Sequence, residues 1–151
     1  MTADRSTVHA SAVLVGARAV LIRGPSGSGK SRLALALIAA AQTQLLPFAR
    51  LVADDRVELE ACNGRLLARP HGTLAGLIEM RGLGIRRVPH EPVAAIGIVV
   101  DLAGADAQRM PSPAEREAMI AGISLPRLAV ASGVDPVPAL LAVLGTTKAA
   151  G

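Results

Sequence analysis

The stretch Gly24-Pro25-Ser26-Gly27-Ser28-Gly29-Lys30-Ser31 fits the pattern GxxxxGKS at every position. The apolar run Ala19-Val20-Leu21-Ile22 precedes it, and the helix-forming run Leu33-Ala34-Leu35-Ala36-Leu37-Ile38 follows. Strand, glycine loop and helix in that order are the context in which the pattern signifies phosphate binding. Gly24, Gly27 and Gly29 can take backbone angles closed to other residues and leave room for phosphate oxygens to approach the main chain. The loop's N–H groups and the positive helix N-terminus then face the anion. Lys30 can reach the β- and γ-phosphate oxygens as a point charge, and the Ser31 hydroxyl can ligate Mg²⁺. A glycine-rich turn with a chance Lys-Ser after it would match neither the full pattern nor both flanks. All eight residues are therefore candidate nucleotide-binding positions.

Around this loop the composition sets bounds. A chain of 151 residues suits one domain with a real core. The expected layout is a flexible start over residues 1–7, with 1–6 the loosest part, one domain over 8–145, and a flexible tail over 146–151. The apolar fraction is 51%, yet Phe48 is the only aromatic residue, so the core must be built from Ala, Val, Leu and Ile. Base-stacking platforms for single strands are absent. The net charge of +4 is spread over scattered arginines, and without a clustered basic face nucleic-acid binding is not indicated. That charge suits a nucleotide pocket and an acidic partner surface. Cys62 stands alone, which excludes an intrachain disulfide or a cysteine metal cluster and suits a reducing cytoplasm. No apolar run approaches a membrane span, and Met1-Thr2-Ala3-Asp4-Arg5-Ser6 does not read as a signal peptide.

Along the chain, Val8 to Val15 reads as a strand and Gly16-Ala17-Arg18 as a turn into a second strand, Ala19 to Ile22. A hairpin entering the phosphate loop makes the expected α/β sheet mixed and partly antiparallel, unlike the common Rossmann-type nucleotide fold. A helix is predicted over Lys30 to Gln42, with its exit at Pro47, and a short buried strand over Leu51-Val52-Ala53. Val57 to Ala61 and Arg65 to Ala68 flank Asn63-Gly64, a strong hairpin signal. Leu77-Ile78-Glu79-Met80 leads into Arg81-Gly82-Leu83-Gly84, which reads as a loop needing close backbone approach. Ala94 to Leu102 carries the β-branched bulk of a strand. Residues 103–113 read as a polar connection. A short helix is expected over Ala114 to Ala121, capped by Ser112 or started by Pro113. A last strand is expected over Leu128 to Ala131 and a closing helix over Val137 to Leu144.

A phosphate loop specifies nucleotide, not reaction. Asp54 and Asp55 follow the buried strand, and at a strand end one can face a magnesium shell while the other accepts a proton from an attacking hydroxyl, which makes Asp54 a candidate metal contact beside Ser31 and Asp55 a candidate base. The plainer alternative is an acidic turn. Glu79 can ligate Mg²⁺ through an oxygen or a bound water, or be a solvated edge-strand acid. His9 on the first strand suits a structural or a functional role, whereas His71 and His90 lie beside prolines without metal-ligand spacing and read as surface residues.

With these residues assembled, the chain resembles the catalytic domain of HPr kinase/phosphorylase, which phosphorylates a serine of the phosphocarrier HPr. His9, Gly24 to Ser31, Leu51-Val52-Ala53-Asp54-Asp55 and Ile78-Glu79-Met80-Arg81-Gly82-Leu83-Gly84-Ile85 carry the match, in the family's order and near its spacing. The last stretch is more specific than any phosphate loop. The resemblance implies a fold similar to phosphoenolpyruvate carboxykinase, in the short form of alpha-proteobacteria without the N-terminal domain. It implies His9 as a catalytic-site residue, Lys30 on the nucleotide phosphates, Ser31 and Glu79 on magnesium, Asp55 as proton acceptor with Asp54 beside it, and Arg81 in the reaction loop. Arg109, in Gln108-Arg109-Met110-Pro111, is the candidate for the family's later catalytic arginine. The family's arginine-rich dephosphorylation loop has no clear counterpart in Ala129-Val130-Ala131-Ser132-Gly133-Val134-Asp135, so the kinase reaction is implied more directly than phosphorolysis.

The expectation is a cytoplasmic, Mg²⁺-dependent ATP:protein serine kinase acting on an HPr-like phosphocarrier, homo-oligomeric and hexameric by resemblance. One rival is a small-molecule kinase, since the loop also resembles that of guanylate kinases, whose tyrosine-lined acceptor site this tyrosine-free chain lacks. The other is a noncatalytic nucleotide-binding regulator. The phosphate loop reads phosphates and leaves the base unread.

Overall fold

A computed structural model describes residues 5–104 and 113–145. The Ser112 cap and most of the polar connection fall outside these residues. The chain opens with β1 (Arg5–Val8) and β2 (Ala10–Val15), so the long first strand expected from Val8 is interrupted at His9. Residues 5 and 6 are strand as well, because β1 forms an antiparallel ladder with β5 (Val57–Cys62) and Arg5 pairs with Glu60 at 2.7 Å. The bend at His9 lets β1 and β2 pair with different partners, β5 and β3 (Arg18–Arg23) respectively.

The hairpin before the phosphate loop forms as expected. β2 and β3 pair antiparallel around Gly16-Ala17, with Gly16 at φ 63°, a Gly-first two-residue turn that matches strand twist. α1 (Lys30–Gln42) then leads to β4 (Ala49–Ala53), antiparallel to β2. β5 and β6 (Arg65–Pro70) close over Asn63 and Gly64, both at positive φ. β7 (Leu77–Met80) and β8 (Gly84–Arg87) form a separate two-stranded sheet. β9 (Ala94–Leu102) runs parallel to β3.

The strand order β1-β5-β6-β9-β3-β2-β4 makes β9 the spine of a mixed sheet, nine-stranded among the described residues. Opposite β3, its first residues pair antiparallel with β6 and its last ones parallel with β11 (Ile123–Val130). Preceding β11 is the one element read wrongly in type: residues 114–116 form a short 3-10 turn and Glu117–Ile120 form strand β10, where a helix was expected. β10 gains a ladder partner in β11, and tertiary pairing outweighs the helical preference of Ala114-Glu115-Arg116-Glu117-Ala118. The turn between them, Ala121-Gly122, has φ of 52° and 79°, and alanine in the left-handed region is a poor sequence signal. α2 (Val137–Leu144) closes the fold.

Strand alternation divides the core in two. Val20 and Ile22 of β3, with Ile98 and Val100 of β9, pack against Leu33 and Leu37 of α1 and Leu140 of α2. Ala19 and Leu21 face the other way, against Val57 and Leu59 of β5 and Leu66 of β6. Aliphatic residues thus fill the interior, and Phe48 is 39% exposed.

The β7–β8 hairpin is tied at its base. Val88 N–H donates to the Gly76 carbonyl and Glu91 N–H to the Leu51 carbonyl, both at 2.8 Å. His90, expected at the surface, is half-buried and bridges Leu51. A Cβ on Gly76 would lie 2.7 Å from its ring Nδ1. At the hairpin tip Gly82 and Gly84 have φ of 85° and 83° with open space beside them. Both need left-handed backbone, and no protein atom approaches either of them closely.

At the far end of β9, Asp101 is held by two arginines. Arg23 Nε donates to its Oδ1 at 2.7 Å and Nη2 to its Oδ2 at 2.8 Å, and Arg127 Nε also donates to Oδ2. Burial pushes the Asp101 carboxyl up, but the hydrogen bonds and charges of Arg23 and Arg127 outweigh it and leave the group below its ordinary 3.8.

Two stability predictions follow from this packing. Leu37 is fully buried, so Leu37→Ala should lose about 3 kcal/mol in urea unfolding, and a loss below about 1 kcal/mol would contradict the packing. Because the folded Asp101 pKa is depressed, its stabilisation is complete above about 3.8 and fades as pH falls through the lower folded value. Asp101→Asn should therefore melt below the unaltered chain near neutral pH, with the gap narrowing in acid below about pH 4. A gap of constant size down to about pH 3 would contradict this.

Candidate functional site

The phosphate loop leaves β3 at Gly24 and enters α1 at Lys30. Gly29 caps the helix at φ 100°, with no side-chain cap and no acidic residue in the first turn. The first-turn N–H groups thus keep their unpaired, positive character and are available to an anion. Gly27 is also left-handed, at φ 82°. At Gly24 the demand is spatial: a Cβ there would lie 2.5 Å from Ser28 Oγ and 3.1 Å from the Leu102 carbonyl oxygen. Lys30 Nζ donates to the Gly24 carbonyl at 2.8 Å and to that of Pro25 at 3.1 Å. Ser28 Oγ is buried and has no partner among the described residues.

Asp54 and Asp55 divide sharply. Asp54 is 6% exposed, and its Oδ1 accepts hydrogen bonds from Ser31 Oγ and Ser11 Oγ, each at 2.7 Å. Its Oδ2 faces the Glu79 N–H at 3.4 Å. Since the Ser31 proton is given to Asp54, the lone pairs of Ser31 Oγ are left for a cation. Asp55 is exposed and has φ 69°. Arg56 N–H donates to the Asp54 carbonyl at 2.8 Å, which makes Asp55 the apex of a γ-turn of the rarer, strained kind. Such backbone costs on the order of 1–3 kcal/mol and persists where the surroundings impose it. Here the Asp55 carbonyl also accepts from Ala10 N–H at 3.2 Å.

These elements border a cleft of about 730 Å³, a size that suits a nucleotide. Its lining brings together Ser26 to Ser31, Asp55, Glu79 and Arg81 with Arg32, Leu35, Met80, Gly82 and Gly84. Glu79 lies on β7, is exposed and lines the cleft, whereas the preceding residue, Ile78, is buried. Gly24 and Pro25 form the back of the loop and Asp54 sits behind Ser31, outside the lining. His9 is exposed at the β1–β2 bend and is not part of the lining, although its neighbour Ala10 is bonded to Asp55. Arg109 lies outside the described residues.

Sequence reasoning passed over Ser11 and the Arg23–Asp101–Arg127 cluster. The available signal was polarity in the wrong place: a serine on the inward face of an apolar strand needs a buried partner. The donor set also fits a phosphate–magnesium group. The loop amides, Lys30 and the unpaired Ser28 hydroxyl suit phosphate oxygens. No cluster of three or more His, Cys, Asp or Glu occurs among the described residues, and Mg²⁺ on phosphates, waters, one hydroxyl and one or two carboxylates needs none.

Comparison with known proteins agrees with this geometry. The family model for the HPr serine kinase C-terminal domain matches residues 1–129. The HPr kinase/phosphorylase of Clostridium tetani is 35% identical over 66% of this chain and 33% of its own length. That of Streptococcus thermophilus is 43% identical over 55% of this chain and 25% of its own length. The chain thus spans a third or less of these curated relatives. A solved structure, the Hpr(Ser) kinase/phosphatase from Coxiella burnetii, is similar with a TM-score of 0.72 at 26% identity, covering 93% of both chains. The mixed α/β sheet is therefore that of this structural type. With its family match, its antiparallel entry to the phosphate loop and its paired Asp54-Asp55, the chain belongs to the HPr serine kinase C-terminal domain family.

Proposed function

We propose that this chain is an ATP-dependent protein serine kinase whose acceptor is an HPr-like phosphocarrier. The observation that carries the reading is the convergence of Lys30, Ser31, Asp55, Glu79 and Arg81 on one cleft from three separate parts of the sequence. The names of the relatives support the acceptor, and the domain proposed to do this work is residues 8–145.

Each role follows from position. The loop amides of Ser26, Gly27, Gly29 and Lys30 hold the β- and γ-phosphate oxygens, the Ser28 amide being given to the Pro25 carbonyl at 3.0 Å, and Lys30 turns from the Gly24 and Pro25 carbonyls toward them. Ser31 and Glu79 would hold Mg²⁺, with Asp54 orienting Ser31 from behind. When bound, the ion supplies charge neutralisation on the phosphates. Asp55 accepts the proton of the acceptor serine as its oxygen bonds to the γ-phosphorus and the bond to the β-phosphate oxygen breaks. Arg81, at the tip of the β7–β8 hairpin, stabilises charge on the transferring group. His9 acts beside Asp55, and Arg109 is the proposed later arginine. Since residues 129–135 contain no arginine, the proposal is made for the kinase direction. A cytoplasmic homo-oligomer, hexameric by family resemblance, completes the reading; no helix among the described residues is long and apolar enough to cross a membrane.

The test is intact-mass measurement of an HPr-like carrier after incubation with the chain, Mg²⁺ and ATP. One added phosphate on serine is expected. Lys30→Ala and Asp55→Asn should each slow the transfer by roughly a hundredfold or more. A carrier of unchanged mass beside demonstrated ATP binding would reject the kinase in favour of a nucleotide-binding regulator or another acceptor.

A further inference from the structure

The Arg23–Asp101–Arg127 cluster lies outside the cleft lining yet directly beneath the loop. Arg23 is the residue before Gly24, and it stands opposite Asp101 at the last position of the parallel β3–β9 ladder. Beyond that pair the strands diverge: β3 runs into the phosphate loop, and Ala103 turns away at φ 54°. Strand ends fray unless tied. Here the tie is a two-pronged guanidinium–carboxylate bond, with Arg127 holding the same carboxylate from β11 and donating through Nη1 to the Glu115 carbonyl at 2.9 Å. The Asp101 and Arg127 side chains are only 15% and 11% exposed, so water weakens the bond little.

The tie reaches the loop through two contacts. The first is steric: Leu102, next to Asp101, backs against Gly24, with 3.1 Å between its carbonyl oxygen and the space a Cβ would take. The second is polar: the Gly24 carbonyl accepts from Lys30 Nζ at 2.8 Å. Moving the end of β3 therefore moves the start of the loop and, before nucleotide binds, the carbonyl on which its lysine waits.

We propose that Arg23 and Asp101 are positioning residues for nucleotide binding, fixing where the phosphate loop leaves β3 and hence where its amides and Lys30 meet the phosphates. Neither touches the nucleotide. The inference rests on the nucleotide-site reading above and adds residues to it. A purely structural ion cluster would lower stability and leave the affinity of the folded protein unchanged, whereas a positioning cluster lowers affinity at temperatures where every variant is folded.

The experiment is calorimetric titration of the full chain with Mg·ADP, after circular dichroism has established folding. Arg23, with a side chain 37% exposed, is the safer site for substitution. Arg23→Gln should weaken binding by roughly tenfold. Arg23→Lys keeps the charge but not the fork and should recover part of the loss. Asp101→Asn should weaken binding at least as much as Arg23→Gln if it folds, and Arg23→Gln decides alone if it does not. Arg5→Gln breaks an ion pair on the remote β1–β5 edge and should bind within about twofold of the unaltered chain. Folded Arg23→Gln binding with unaltered affinity would overturn the positioning role while leaving the site reading intact. Absence of Mg·ADP binding by the unaltered chain would overturn both.

Discussion

The buried carboxylate of Asp54 is the point on which the site is hung. It directly follows β4, takes Ser11 from β2 and Ser31 from α1 on one oxygen, and turns the other to the Glu79 N–H of β7. An ionised group at 6% exposure is tolerable only when its oxygens are met by donors. The four elements are therefore not free to move independently. A shift of α1 that freed Ser31 would leave the carboxylate short of a donor, and a shift of β7 would weaken the bond from the Glu79 backbone. One desolvated charge thus sets the depth of the phosphate loop relative to the hairpin that carries Glu79 and Arg81.

Strain then separates two neighbouring, chemically identical residues. The γ-turn at Asp55, with φ 69°, reverses the chain within one residue, so that Asp54 points into the protein and Asp55 into the cleft. The backbone bonds from Arg56 and Ala10 impose the turn. This arrangement leaves one aspartate buried among donors and the other exposed on the cleft, the division of labour that the proposed positioning and proton acceptance require. Ala10 donates its bond only because the chain bends at His9, which ties the start of β2 to the geometry of the pair.

Much of this was legible in the sequence, and the reason is local. The bounds of α1 and β9 follow from loop grammar and β-branched content, the Asn63-Gly64 hairpin from turn chemistry, and the antiparallel entry to the loop from the spacing of two apolar runs around Gly16. Lys30, Ser31, the Asp54-Asp55 pair and Glu79 were legible as parts of one phosphate and magnesium site from the phosphate loop and the strand-end carboxylates, each carboxylate with a plainer alternative. Arg81 and the choice of Asp55 as proton acceptor came only through family resemblance. What stayed hidden depends on long-range pairing. β10 is a strand because β11 lies beside it, the break at His9 exists because β1 and β2 serve different partners, and the Arg23–Asp101–Arg127 cluster unites residues from three strands. Which aspartate would be buried is likewise decided by Ser11, a residue with no motif around it.

The claim beneath all of this is that the cleft binds nucleotide phosphates together with Mg²⁺ through Ser31 backed by Asp54. The most direct measurement is calorimetry of ADP binding with and without Mg²⁺, on the unaltered chain and on Ser31→Ala. The account predicts that Mg²⁺ tightens binding to the unaltered chain by roughly tenfold or more and that Ser31→Ala removes most of that gain. Equal affinity with and without the ion in the unaltered chain would contradict it.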